Sequence, residues 1–309
     1  MNGLPHPEVM NPQPRVLIVG WGHVGRQLGR WFSEADWVDV DGVVQLRGRG
    51  EGSDGADRSD RSGASDRWGG ADLRYELGFV CVPTPQGPGG ECDTSVVRAA
   101  LARWGDAARF WCVKSTVEVG TTESLGANVC FSPEFYGETV GHPLREALPF
   151  VILGGPAEVT RAFAAAWSLV TTSELRIYQT DSRTAELCKL MENAWIATKV
   201  SFCNEWFDLA AAAGVDWHEL RELWLADPRV SRSHTYVYPR NRGWAGKCLP
   251  KDTSNLVTWA RRVLGVRARL LEAVREYNQG LRETPFPAAG GERGAPPARE
   301  GREAEQSGG

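Results

Sequence analysis

The chain has 309 residues, 42% of them hydrophobic and 24% charged, which suits a globular protein of roughly two domains. A net charge of -4 argues against a protein that draws its affinity from nucleic-acid phosphates. Seven cysteines without a CxxC pair argue against a disulfide framework or a zinc site, and fit a reducing, cytoplasmic setting. No apolar run approaches the roughly 18 residues that span a membrane, and the polar, Pro-rich residues 1–14 read as a disordered tail rather than a signal peptide.

Residues 15–20, RVLIVG, form a short apolar run of the kind buried in a parallel sheet. GWGHVG follows, with Gly20, Gly22 and Gly25, and then a segment with Val24, Leu28, Trp31 and Phe32 at helical spacing. This is the strand–turn–helix setting of a dinucleotide fingerprint. Gly20 would make the tight turn, Gly22 admit the pyrophosphate to the backbone, and Gly25 allow close packing of helix on strand. An acidic residue at the end of the second strand should take the ribose hydroxyls. Within WVDVDGVV the choice falls on Asp41, with Asp39 as the second choice; either favours NAD over NADP, while nearby Arg47 and Arg49 could hold a 2′-phosphate.

Residues 47–70 are almost entirely Gly, Ser, Asp and Arg and read as a disordered insert, where a full mononucleotide-binding half would place another helix and strand. Strands are expected at 79–83, 109–113, 128–131, 150–155 and 176–180, and a helix over 93–104 capped by Asp93 or Thr94. Lys114, Ser115 and Thr116 lie at a carboxyl strand end, where open α/β sheets bind ligands. Glu134 and Glu138 would share a face if SPEFYGE is helical. Residues 15–181 thus make one doubly wound domain.

From residue 182 the period becomes helical up to Gly214, an expected C-cap, giving one long helix that calls for a dimer partner. Lys189 and Asn193 share a face of it. Taken alone, Lys189 reads as a surface partner of Glu186 or Glu192. A second helix is expected over 216–225 and two more over 253–264 and 266–280, with a disordered tail at 285–309. Residues 182–284 are accordingly expected to form a helical central domain. Within it, GWAGKCLPKD holds Cys248 between glycines and a rigid Pro250. With Asp252 opening the next helix, its N-terminus would favour the Cys248 thiolate.

GWGHVG, FVCVPTP, KSTVEVGTT, SPEFYGE, AELCKLMEN with a later Asn204–Glu205, and GWAGKCLPKD occur in one order over about residues 15–280. In this the chain resembles the UDP-glucose/GDP-mannose dehydrogenases, NAD-dependent enzymes that oxidise a nucleotide sugar to its acid in two hydride transfers for polysaccharide biosynthesis. The resemblance implies a Rossmann-type domain followed by an all-α dimerisation and substrate domain, in a homodimer that takes NAD.

It implies Cys248 as nucleophile, Asp252 with Thr116 and a water as base, Lys189 and Asn193 as stabilisers of oxyanions, and Glu134 as the carboxylate for thioester hydrolysis. Pro83, Thr84, Thr116 and Lys251 would lie against NAD, and Glu138, Arg229, Gly243 and Gly246 against substrate. The chain departs from the pattern at Ala245, where the family has a second glycine, and at Glu118, where it has a proline. Family members also continue into a second Rossmann-like domain that grips the nucleotide. A smaller, sugar-phosphate-like substrate, or a non-catalytic NAD-binding subunit of a longer homologue, are therefore the alternative expectations.

Overall fold

The computed structural model describes residues 13–39, 42, 44–46, 75–135, 149–171 and 174–283. The 47–70 insert and the 285–309 tail lie outside the described residues, as do positions 1–12 of the expected N-terminal tail.

Among the described residues eight strands form one sheet: β1 (Val16–Val19), β2 (Asp36–Val38), β3 (Val44–Gln45), β4 (Tyr75–Val80), β5 (Ala108–Val113), β6 (Val129–Phe131), β7 (Phe150–Gly154) and β8 (Arg176–Thr180). Their order is β3-β2-β1-β4-β5-β6-β7-β8. The run β2-β1-β4-β5-β6 is parallel, and so is β7 with β8. β3 is antiparallel to β2, and β7 to β6. The sheet is therefore mostly parallel rather than wholly so. β3 follows β2 through a turn in which Gly42 N–H donates to Asp39 O (2.9 Å), and this hairpin needs no crossover helix.

Two-residue alternation distributes β1 between two cores. Val16 and Ile18 face α1 (His23–Trp31) and α3 (Ala157–Val170), where Leu28, Phe163 and Trp167 are buried. Leu17 and Val19 face α2 (Ser95–Trp104), whose Val97, Ala100 and Trp104 close the other side. Each such buried side chain contributes about 1.5–3 kcal/mol, which is why the strands read as continuous apolar runs. β4 begins at Tyr75, four residues before the expected strand, because exposed Glu76 interrupts its apolar run while Tyr75 and Leu77 are buried.

The helices then take over: α4 (Ser182–Ala212), α5 (Trp217–Trp224), α6 (Cys248–Leu264) and α7 (Arg269–Glu283). Asp216 caps α5 by accepting from Glu219 N (2.8 Å). Gly265 ends α6 in the left-handed region (φ 67°).

The expected boundary at 181/182 is not where the chain divides. Residues up to Ala194 together with Lys247–Ala268 form one compact unit, and Trp195–Gly246 with the residues from Arg269 form a second. The first turns of α4 and the whole of α6 thus belong with the sheet. Asp181 and Ala185 pack on Gly154 of β7, and Asn255 of α6 accepts a bond from Cys92. The second unit has its own core of Cys203, Ala210, Trp217 and Val237.

Candidate active site

The glycine turn has the shape that a dinucleotide requires. Gly20 sits at φ +97°, and a Cβ there would meet Cys81 O at 2.7 Å. A Cβ on Gly25 would meet Gly20 O at 2.1 Å, so α1 can start this close to β1 only with glycine. A Cβ on Gly22 would meet nothing within 4 Å. Gly22 is the N-cap of α1 and contributes no side-chain bond, so no side chain caps the N–H groups of the first turn. These residues fit a dinucleotide pyrophosphate.

Asp41 lies outside the described residues. Asp39 is described, directly after β2, and its Oδ1 accepts from Trp21 N–H in the glycine turn (3.3 Å). A carboxylate is thus placed beside the turn at the carboxyl end of the sheet. Thr84, in the loop after β4, donates to Thr116 O (2.7 Å), joining two expected cofactor residues. Pro83 is exposed beside it.

Of the expected catalytic residues, Cys248, Lys189, Asn193, Asp252 and Glu134 meet in the sheet unit, while Thr116 accepts from Thr84 and Cys92. α6 starts at Cys248, not at Asp252, because Pro250 falls in the first turn, where a missing N–H costs nothing. Asp252 therefore lies inside the helix rather than at its cap, and Cys248 and Asp252 share a face one turn apart. Lys189 and Asn193 stand one turn apart on α4, with Lys189 Nζ donating to Asn193 Oδ1 (3.4 Å). Asn193 Nδ2 donates to Asp252 Oδ2 (2.5 Å) and Lys251 Nζ to Asp252 Oδ1 (2.5 Å). Asp252 is 1% exposed, so both its oxygens are committed in a dry setting, though each keeps a second lone pair.

Burial lowers the pKa of the Lys189 ammonium, and the charges of Asp252, Glu134 and Cys248 work against that shift. The lysine so lies within electrostatic reach of all three. Its Nζ also sits over the Phe135 ring (5.2 Å). The surface-pair reading with Glu186 fails on geometry. Glu186 is fully buried and accepts from Gly120 N (2.5 Å), Thr122 N (2.8 Å) and Thr122 Oγ1 (2.6 Å).

Glu134 follows β6, and Phe135 N donates to its Oε1 (2.8 Å). Its Oε2 is 3.4 Å from Nζ of Lys114, a buried cation that also donates to Ser132 Oγ (3.1 Å) and Pro133 O (3.2 Å). Residues 132–135 are not helical, and Glu138 lies outside the described residues, so the two glutamates are not placed on a common helix face.

In the second unit, Arg229 pairs with Asp227 (2.6 Å) and is exposed. Gly243 has φ +71°, and a Cβ there would strike Asn278 Oδ1 at 2.4 Å. Gly246 (φ +86°) has open space in the Cβ direction. Three residues that sequence reading missed hold this stretch. Asn278 accepts from Trp244 N–H (2.7 Å) and donates to Trp244 O (3.0 Å). Ser201 accepts from Trp244 Nε1 (2.9 Å), and Arg242 donates to Asn204 Oδ1 (2.7 Å). An asparagine inside an amphipathic helix, at Asn278, was the available signal.

Among the described residues no cluster of three or more His, Cys, Asp or Glu could hold a metal, and no helix is long and apolar enough to cross a membrane.

A mostly parallel sheet with a glycine turn at its switch point, followed by a long helix, defines a Rossmann-type α/β protein with a helical region. Residues 183–280 match the family model described as UDP-glucose/GDP-mannose dehydrogenase family, central domain. Over those residues the chain is similar to that family's central domain.

It is 30% identical over 234 residues to a UDP-glucose 6-dehydrogenase of Pseudomonas aeruginosa, covering 70% of this chain and 51% of that one. It is 28% identical over 227 residues to a GDP-mannose 6-dehydrogenase of Azotobacter vinelandii, covering 67% and 51%. The chain thus spans about half the length of these curated relatives. Its fold resembles a UDP-glucose dehydrogenase from Pyrobaculum islandicum, with a TM-score of 0.69 at 23% identity over 90% of this chain and 70% of that one.

Proposed function

We propose that the chain is an NAD-dependent dehydrogenase that oxidises a primary alcohol, C6 of a nucleotide sugar such as UDP-glucose, to the carboxylate, working as a cytoplasmic homodimer. The observation that carries this reading is Lys189, held within reach of Cys248, Asp252 and Glu134 and bonded to Asn193. The relatives named above are nucleotide-sugar 6-dehydrogenases, which supports the substrate class. Asp39 supports NAD over NADP, because a carboxylate at that place repels a 2′-phosphate.

NAD would supply the hydride acceptor, one molecule for each of the two oxidations. Asp252, through a water held with Thr116, takes the proton of the C6 hydroxyl as hydride leaves C6 and an aldehyde forms. The Cys248 thiolate adds to the aldehyde carbon, giving a thiohemiacetal whose oxygen is stabilised by the Lys189 ammonium and the second amide hydrogen of Asn193. Loss of the second hydride leaves a thioester on Cys248. Water then attacks its carbonyl while Glu134 takes the proton, the C–S bond breaks, Cys248 leaves as thiolate, and the acid is released. Cysteine serves because it is both a good nucleophile and a good leaving group. Lys251 and Asn193 hold the Asp252 carboxylate in place throughout.

The test is stoichiometry. Two NADH are expected per nucleotide sugar consumed, and Cys248→Ala should lose acid formation and retain at most slow aldehyde chemistry. Normal carboxylate production by that variant would sink the mechanism. Turnover of a sugar phosphate with none of nucleotide sugars would favour the smaller-substrate reading. NAD binding with no turnover of either would favour a binding subunit.

A further inference from the structure

α6 is fastened along one face by four polar contacts. Asp252 bonds to Asn193 of α4 (2.5 Å), and Asn255 Oδ1 accepts from Cys92 N–H (3.1 Å). Thr258 Oγ1 donates to Gly89 O (3.2 Å), and Arg262 NH2 lies 2.5 Å from both carboxylate oxygens of Glu118. Positions 252, 255, 258 and 262 recur every three or four residues, so they form one stripe. The helix that carries Cys248 at its head is thereby tied to α4, to the loop after β4 and to the loop after β5.

The loop after β5 is tied in turn at both ends. Thr116 O accepts from Thr84 Oγ1 (2.7 Å) and Cys92 Sγ (3.2 Å), and Gly120 N donates to Glu186 of α4 (2.5 Å). Glu118 stands between these ends, after buried Val117. Arg262 therefore holds this loop from outside, through the Glu118 carboxylate.

We propose that Glu118 and Arg262 are positioning residues, whose ion pair fixes the loop carrying Thr116 onto the helix carrying Cys248 and Asp252. Their role in turnover rests on the dehydrogenase reading, whereas the fastening itself does not. Of the four contacts along α6 this one involves the most exposed side chain, with Arg262 57% accessible, so added salt should weaken it.

The experiment uses the full chain and three variants: Glu118→Gln, Arg262→Gln and the charge-swapped Glu118→Arg/Arg262→Glu. Both single variants should exchange the amides of residues 116–122 faster than wild type, by about two- to fivefold, the range of a solvent-exposed pair. Their kcat, read at saturating NAD, should fall by a similar factor. The swapped pair should recover most of both effects, and wild-type kcat should fall with salt more steeply than that of the single variants. Wild-type exchange in both single variants, or no recovery in the swap, overturns the fastening. Faster exchange with wild-type kcat overturns the positioning role. If wild type forms no NADH from any nucleotide sugar, the dehydrogenase reading fails, and exchange alone decides whether the pair fastens the loop.

Discussion

At the scale of the residue, Lys189 shows how burial and charge divide the work. Desolvation pulls its pKa below the ordinary lysine value of 10.5, and neighbouring Asp252 and Glu134 hold it up. The ammonium is the useful form, since only a cation stabilises an oxyanion. Activity that depends on it is present below the lowered pKa and lost as pH rises through it. The alkaline limb of kcat should therefore fall below the usual lysine range and move upward in Lys189→Arg, whose guanidinium stays protonated. Lys189→Ala should lower kcat by about 10²- to 10³-fold and leave NAD affinity nearly unchanged. A steady-state pH profile with calorimetric NAD titration checks both, and hydride-transfer rates within about threefold of wild type would reduce the lysine to a structural role.

At the scale of the element, the turn between β1 and α1 separates packing from binding. A methyl group on Gly25 would stand 2.1 Å from Gly20 O, a backbone atom that cannot swing aside. Gly25→Ala should therefore destabilise the fold by about 1–3 kcal/mol and also weaken NAD binding. Gly22 is open in the same direction. Gly22→Ala should melt like wild type yet bind NAD at least about tenfold more weakly, because the methyl group occupies the approach to the phosphates. Thermal melts beside calorimetry separate the two. Equal NAD affinity in Gly22→Ala and wild type would mean that the turn serves packing alone.

At the scale of the whole molecule, α4 is 31 residues long, or about 46 Å. From Trp195 onward, Trp195, Phe202, Trp206 and Leu209 are 58%, 43%, 43% and 52% exposed. Their spacings of seven, four and three place them on one face. Phe202 and Trp206 also line a cleft of about 140 Å³ with Trp217, Leu220, Arg221 and Trp224. Such an aromatic stripe suits burial against a second copy. Sedimentation of the 33.9 kDa chain should show a dimer, and Trp195→Glu/Trp206→Glu should shift it to monomer at micromolar concentration. A wild-type monomer at that concentration would remove the dimer from the proposal.

The periodic features of this chain are legible in its sequence. RVLIVG running into three spaced glycines implies a strand, a turn and a helix, because both the two-residue period and the clash at Gly25 are local matters. The long apolar period after residue 182 likewise determines a helix by itself. What the sequence could not contain is which side chains far apart in number meet. Lys189 looked like a partner for Glu186 on the same helix face, and the fold instead turns Glu186 inward to cap the loop at Gly120 and Thr122. Asp252 looked like a helix cap, and the fold extends α6 back to Cys248, so that Asp252 can face Asn193. The division between units falls inside α4 for the same reason. Helical period depends on neighbours three and four residues away, whereas the face a helix buries, and against what, is decided by the sheet it packs on.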